Sequence, residues 1–195
     1  MKEIFQTKKL GALPFQTISE LVSGGFIMDA VQSNIRPASL DLSISDEVYV
    51  VDGMFLPKTK ELVGDVLAQI PKKKYSLDKP LTCGNMYMVR LNERLSLPKT
   101  VYAYCNPKST SGRIDAHVRL IADGMARYDS LRAGFEGDLW VSIIPRTFQI
   151  LLHKGLCLNQ LRFFNSDTRL SDFELEIAMK KHKLLWRQKE KTPYE

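Results

Sequence analysis

The chain has 195 residues and a mass of 22.3 kDa, enough for one well-cored domain with a small appendage. Hydrophobic residues at 44% and charged residues at 26% are ordinary for a soluble globular protein, and nothing in the sequence approaches a transmembrane span. The net charge of +6 suits an anionic ligand. However, many of the basic residues sit in Lys72-Lys73-Lys74 and between Lys180 and Lys191, runs that read as solvated faces. No nucleic-acid-binding signature accompanies them, so no nucleic-acid partner is expected.

Residues Met1 to Lys9 lack the apolar core of a signal peptide, which makes the cytoplasm the expected location. Leu13 to Val22 predicts a short amphipathic helix: Ile18, Leu21 and Val22 recur at helical spacing, Pro14 suits a first turn, and Gly24-Gly25 ends it. From Ser39 to Ser45 polar and apolar residues alternate as in a half-buried strand. Glu47 to Val51 reads as a second strand, closed by the turn signal Asp52-Gly53. Leu62, Val63, Val66, Leu67 and Ile70 suggest an inserted helix on the rim of a β-core. A strand series follows over Met86–Arg90, Val101–Tyr104, His117–Ile121, Leu139–Ile144, Gln149–Leu152 and Leu158–Phe164. Short strands punctuated by Gly and Pro argue for a mainly β sandwich or barrel. The barrel domain is expected to span residues 1–170, and residues 171–195 a helix or linker. There Ser171 is placed as N-cap, with Phe173, Ile177, Leu184 and Leu185 able to dock the helix on the barrel.

The segment Asn106-Pro107-Lys108-Ser109-Thr110-Ser111-Gly112-Arg113 stands out for chemistry. Its hydroxyls and backbone N–H groups can bond phosphate oxygens, its Lys and Arg supply charge, and Gly112 allows a close approach of backbone to ligand. A solvated polar turn is the plain alternative. His117, His153 and His182 lack ligand-like spacing. Cys83, Cys105 and Cys157 lack a Cys-x-x-Cys pair, so they read as reduced, buried thiols, and no zinc or other protein-built metal site is expected. Nucleophile-elbow, Walker and Rossmann motifs are missing.

The spaced constellation says more than any single motif. Pro37–Leu42, Asn106–Arg113, Ile121–Gly124, Ala133–Gly137, Pro145–Phe148 and Gly155-x-x-x-Asn159-Gln160-Leu161-Arg162-Phe163 together resemble the dCTP deaminase branch of the dUTPase-like superfamily. The likeness is to the N-terminal half of the two-half bacterial 2'-deoxycytidine 5'-triphosphate deaminases and covers roughly residues 10 to 175. It implies a distorted jelly-roll barrel of the β-clip type, a pyrimidine deoxynucleoside triphosphate as ligand with Mg²⁺, and an active site at a subunit or domain interface. It also implies a homo-oligomer, a trimer in single-domain relatives. By the resemblance, Lys108, Ser109, Thr110, Ser111, Gly112 and Arg113 hold the triphosphate, Ser109 and Arg113 lie closest to the chemistry, and Trp140, Val141 and Ser142 pass beside the pyrimidine. Gln160 matches a glutamine of the related dUTPase motif; its plain alternative is a strand-end side chain bonding local backbone.

One departure bears on activity. The deaminases carry a water-activating glutamate where this chain has Ser142, and an acidic residue where it has Arg132. A serine hydroxyl does not serve as general base near neutral pH, and losing the base costs about 10²–10⁴-fold. Glu136 and Asp138 are nearby carboxylates expected to face solvent. The resemblance therefore puts first a deaminase converting dCTP to dUTP and ammonia, with its carboxylate supplied by a second half or subunit. A non-catalytic nucleotide-binding homologue stands second and a dUTP diphosphatase third.

Overall fold

The computed structural model describes residues 10–167, 169–187 and 192–193. Its first half runs α1 (Phe15–Ser23), β1 (Ile27–Met28), a 3-10 turn at Gln32–Asn34, β2 (Ile35–Arg36), β3 (Ser39–Val51), α2 (Val63–Gln69), β4 (Lys72–Tyr75) and β5 (Met86–Ser96). The second half runs β6 (Tyr102–Pro107), α3 (Ser109–Arg113), β7 (Ala116–Ala122), β8 (Ser130–Leu131), β9 (Glu136–Pro145), β10 (Cys157–Phe164), α4 (Asp172–His182), β11 (Trp186–Arg187) and β12 (Thr192–Pro193). Residues Met1–Lys9 and the end of the basic tail, where a leader and a linker were considered, lie outside the described residues.

The ten strands β1 to β10 form one antiparallel sheet in the order β7-β9-β5-β3-β10-β6-β8, with β1 on β5 and with β2 and β4 on β3. The sheet curls until its ends nearly meet. Asp129, just before β8, joins them: its N–H donates to the Leu120 carbonyl of β7 at 3.1 Å, its carboxylate accepts the Leu120 N–H at 2.7 Å, and its carbonyl accepts the Cys105 N–H of β6 at 2.9 Å. The mainly β, barrel-like architecture expected from the strand spacing is thus present.

Strand alternation sorts the side chains. Leu40, Leu42 and Ile44 of β3, Val118 and Leu120 of β7, Val141 and Ile143 of β9, and Leu161 and Phe163 of β10 fill the barrel interior. The opposite face of β5, β7 and β9 carries Met88, Ile121 and Trp140, and these pack under Val63 and Leu67 of α2 in a separate apolar layer. The inserted helix therefore has its own face of the sheet to cover. It begins at Val63 with Leu62 as N-cap and no side-chain cap of its own. The acceptor comes instead from Asp123, whose Oδ1 takes the Val63 N–H and whose Oδ2 takes the Asp138 N–H, both at 2.8 Å. Gly137 makes this possible, because a Cβ there would lie 2.9 Å from the Asp123 Cβ.

Four sequence expectations are corrected. The stretch Ser39–Val51 is one 13-residue strand, not two. Its register shifts between Ile44 and Val48, which is where an alternation read residue by residue breaks. Residues Gln149–Leu152 form no strand; only Ile150 bridges to Leu81. Cys83 is exposed, whereas Cys105 is buried. Finally, α4 has the expected Ser171 cap, in a capping box with Glu174, but it does not dock: Phe173 is 72% exposed, and Ile177, Leu184 and Leu185 are exposed too. Phe173, Leu175 and Ile177 alternate with Glu174 and Glu176, so the apolar groups spread around the helix instead of gathering into one stripe. Among the described residues no helix is long and apolar enough to cross a membrane.

One buried carboxylate sits at an irregular point of the sheet. The pairing of β5 with β9 shifts register between Arg90 and Arg94, and within that irregular stretch Glu93 turns inward, 1% exposed. It accepts from the Ser43 N–H at 3.0 and 3.1 Å and from the Ser43 hydroxyl at 2.7 Å. Burial pushes its carboxyl above the ordinary value of 4.5 despite those bonds.

Two outcomes are expected. Asp123→Ala leaves two buried N–H groups without an acceptor, so urea denaturation should show a loss of about 3 kcal/mol, with Trp140 emission shifting to the red as α2 lifts. An unshifted emission with unchanged stability would remove Asp123 as the anchor of α2. Glu93 stabilises the folded state below its ordinary value, and that contribution disappears as pH rises through its raised folded value. The Glu93→Gln variant should therefore gain stability relative to wild type as pH rises from about 4.5, measured by denaturation at a series of pH values; a pH-independent difference would contradict the assignment.

Candidate functional site

The Lys108–Arg113 segment is divided by its own packing. Pro107 ends β6, the Lys108 N–H donates to the Leu158 carbonyl at 2.8 Å, and the chain then turns into the five-residue helix α3. Ser111 faces inward, fully buried, and its hydroxyl donates to the same Leu158 carbonyl at 2.7 Å. It fastens the segment to β10 and has no free donor for a ligand. Lys108 is also committed: its ammonium lies 2.6 Å from Asp41 Oδ2, and Arg36 Nε reaches the same oxygen at 2.8 Å. The Asp41 side chain is 3% exposed, so this carboxylate is held by two cations at the edge of the interior. Ser109, Thr110, Gly112 and Arg113 are left on the exposed side, and among the described residues no ion pair occupies the Arg113 guanidinium. Their hydroxyls and guanidinium are the donors the segment can offer an anion.

Gln160 stands beside this group. It is opposite Asp41 on β3 and opposite Asn106 on β6, and its Oε1 accepts a long, 3.5 Å bond from the Ser39 hydroxyl. That is a cross-strand contact with a neighbouring hydroxyl, not the local backbone bond considered from the sequence. Arg36, Ser39, Asp41, Lys108 and Gln160 thus converge, and Asp41, which holds two of them together, was not singled out in the sequence. The only hint was its place in the Pro37–Leu42 segment.

The strand residues fall elsewhere. Val141 points into the barrel interior. Trp140 and Ser142 share the outer face, and neither reaches open surface: Trp140, in the apolar layer with Val63 and Leu67, is 4% exposed, and Ser142 is 0% exposed. Ser142 sits in register with Arg119 of β7 and Met88 of β5, and its hydroxyl has only the Arg119 carbonyl, at 3.5 Å. The structure therefore does not bring position 142 to open surface beside Ser109 and Arg113. Of the nearby carboxylates, Glu136 is exposed as expected. Asp138 is not simply solvent-facing: it is 2.8 Å from Arg90 and 3.6 Å from Arg94, and its N–H is bound to Asp123. Arg132, at the family's acidic position, is exposed and points its guanidinium at the Gly124 carbonyl.

Ile144, farther along the same face as Ser142, comes nearer the surface. It is half-buried and borders a cavity of about 590 Å³ shared with Gly112, Asp115, His117, Arg146 and Met54. An added Cβ on Gly112 would meet nothing within 4 Å, which is consistent with open space at the end of α3. The Asp115 carboxylate accepts from the Thr147 hydroxyl. No motif marked Asp115 or His117; both reach the cavity because β7 starts where α3 ends.

A family model described as the 2'-deoxycytidine 5'-triphosphate deaminase (DCD) N-terminal domain matches residues 9–167. No curated protein matches the sequence. Among solved structures, the 2'-deoxycytidine 5'-triphosphate deaminase from Agrobacterium tumefaciens superposes with a TM-score of 0.79 at 32% identity, covering 88% of this chain and 53% of that one. The chain thus spans about half the length of that relative. The native EIAV dUTPase is a much looser likeness, with a TM-score of 0.35 at 14% identity over 48% of this chain and 72% of that one. With the family model running almost from the first described residue to the end of the barrel, the chain belongs to the 2'-deoxycytidine 5'-triphosphate deaminase N-terminal domain family.

Proposed function

We propose that this chain is a nucleotide-holding barrel of a dCTP-deaminase-type protein, one that does not deaminate by itself. In this reading Ser109, Thr110 and Arg113 take the triphosphate of a pyrimidine deoxynucleotide, with Gly112 allowing close approach. Lys108 acts through Asp41 to set the position of the segment, and Gln160 lies at its flank. The observation that carries the reading is the state of Ser142: the residue that the family resemblance puts at the water-activating position has no carboxylate and is fully buried. A water molecule activated there would have neither a base nor a path to a nucleotide at Arg113. Deamination would then draw its carboxylate from another barrel, in a second domain or a second copy, across the interface that the family resemblance implies.

Mg²⁺ fits this reading as a companion of the triphosphate. Among the described residues no three His, Cys, Asp or Glu side chains are grouped to hold a metal ion, and Asp41 is already taken by Lys108 and Arg36. The ion would be carried by the phosphate oxygens, whose charge it partly neutralises. The chain's own contribution is to orient those oxygens with hydroxyl and guanidinium donors.

The product assay is purified chain with Mg²⁺ and dCTP, resolved by ion-exchange chromatography. The chain alone should form no dUTP, while calorimetry should show dCTP binding that Arg113→Ala weakens about tenfold. Ser142→Glu should not restore turnover, because the new carboxylate would be buried; it should instead cost about 3 kcal/mol of stability. Formation of dUTP by the wild-type chain would overturn the proposal and direct attention to Asp115 as the base. Unchanged dCTP affinity in Arg113→Ala would remove α3 as the phosphate site.

A further inference from the structure

Helix α4 carries apolar groups that its own barrel does not take up. None of its residues is buried, and an 11-residue helix without buried side chains is marginal in water even when well capped. Although its apolar groups spread around it, one face is shaped. Asp172, Leu175, Glu176, Met179 and Lys180 recur at the three- and four-residue spacing that sets side chains next to one another. Lys183 then adopts a left-handed backbone with φ 50°, and the Trp186 indole N–H donates to the Lys183 carbonyl at 2.7 Å. That turn brings Leu185 to the same face, where the six residues border a groove of about 480 Å³. Its apolar wall stands open: Leu175 is 44% and Leu185 54% exposed. Contiguous exposed apolar surface of this kind marks an interaction site.

The charge on α4 says what fits there. Three carboxylates, Asp172, Glu174 and Glu176, occupy its first half, and three lysines, Lys180, Lys181 and Lys183, its end. This segregation offsets the helix dipole. It also makes the helix complementary to its own reverse. Laid antiparallel, each acidic half meets a basic half, whereas a parallel pair sets like charges together. The rim of the groove follows the same order, Asp172 and Glu176 at one end and Lys180 at the other. Glu176 and Lys180 lie 2.9 Å apart but are each well exposed, and Asp172, Lys181 and Lys183 have no ion-pair partner among the described residues. A lipid surface would want a uniformly basic polar face, which the carboxylates on the rim spoil.

We propose that the groove on α4 is the contact by which two copies of this chain pair, helix against helix and antiparallel about a two-fold axis. Leu175, Met179 and Leu185 of each copy cover those of the other, and Asp172 and Glu176 face the lysines of the other copy. A two-fold axis is the symmetry in which one self-complementary patch serves both copies. The trimer implied by the resemblance would need a different, heterologous contact, which this pairing leaves free. The contact requires nothing of the nucleotide reading, because α4 follows the barrel and takes no part in α3.

Sedimentation equilibrium of the full chain over a range of concentrations tests the proposal. The proteins are wild type, Leu175→Asp, and the double variants Asp172→Lys/Glu176→Lys and Lys180→Glu/Lys181→Glu. Wild type should show a reversible doubling of mass, from whatever unit the barrel itself forms, and Leu175→Asp should weaken that doubling about tenfold. Each charge variant alone should lose it, and an equimolar mixture of the two should regain it. The mixture keeps the test decisive if Leu175→Asp merely unwinds the helix. Wild type without the doubling, a doubling that survives in all three variants, or a mixture that does not regain it overturns the proposal. Partition of wild type onto anionic vesicles in place of the doubling assigns the face to a lipid surface and overturns it as well.

Discussion

The structure turns on β3 belonging to two surfaces at once. Over Leu40–Ser43 the strand pairs with β10, and over Val48–Val51 it pairs with β5 on one edge and β4 on the other. β5 already pairs at Ile44 and so runs along β3 on both sides of the register irregularity between Ile44 and Val48, while the other partner changes there from β10 to β4. Every inward residue of β3 then meets the barrel interior, and every outward one meets whatever covers the outside. The outer face of the first half carries Asp41 and Ser43, both buried and hydrogen-bonded. Because the outer face of the neighbouring β5 and β9 is covered by α2, it must carry Met88 and Trp140. The group around Asp41 and the buried position 142 lie on these two parts of the outside.

In the proposed reading, the phosphate segment and the missing base depend on different parts of the fold. Ser109 and Arg113 need only a fixed α3, and α3 is fixed from behind by Ser111 and Lys108 through bonds to the Leu158 carbonyl. Position 142 would need access to the ligand, and Ser142 is 0% exposed on a strand face whose neighbour Trp140 belongs to an apolar layer. A carboxylate at that position would have to be desolvated with only Arg119 near enough in register to answer it, whereas a serine costs little. A serine at position 142 is thus consistent with its burial.

Much of the fold was legible because short-range physics writes it plainly. The alternating residues of β7, β9 and β10, the capping box at Ser171 and the apolar spacing of α2 all act within a few residues of themselves. What was not legible depended on distant partners. Nothing local says that Val63 begins its helix under an acceptor from Asp123, or that Ile150 bridges once to Leu81 without building a strand. The order of segments pointed to the phosphate residues, but not to which of them face outward. Lys108 and Ser111 look as available as Ser109 and Arg113 until Asp41 and Leu158 are brought beside them. For Ser142 the residue type announced a missing base, and only packing could add that the position is closed.

Asp41 and Glu93 show two ways in which the fold accommodates a buried carboxylate. Both are buried carboxylates beside β3, and both accept strong hydrogen bonds. Asp41 has Lys108 and Arg36 within 2.8 Å, so its charge is spent inside the chain and appears outside only as the fixed position of α3. Glu93 has Ser43 alone, and neutral donors stabilise an ion without cancelling its field. Two carboxylates buried beside one strand are thus held by different means, one by cations and the other by neutral donors.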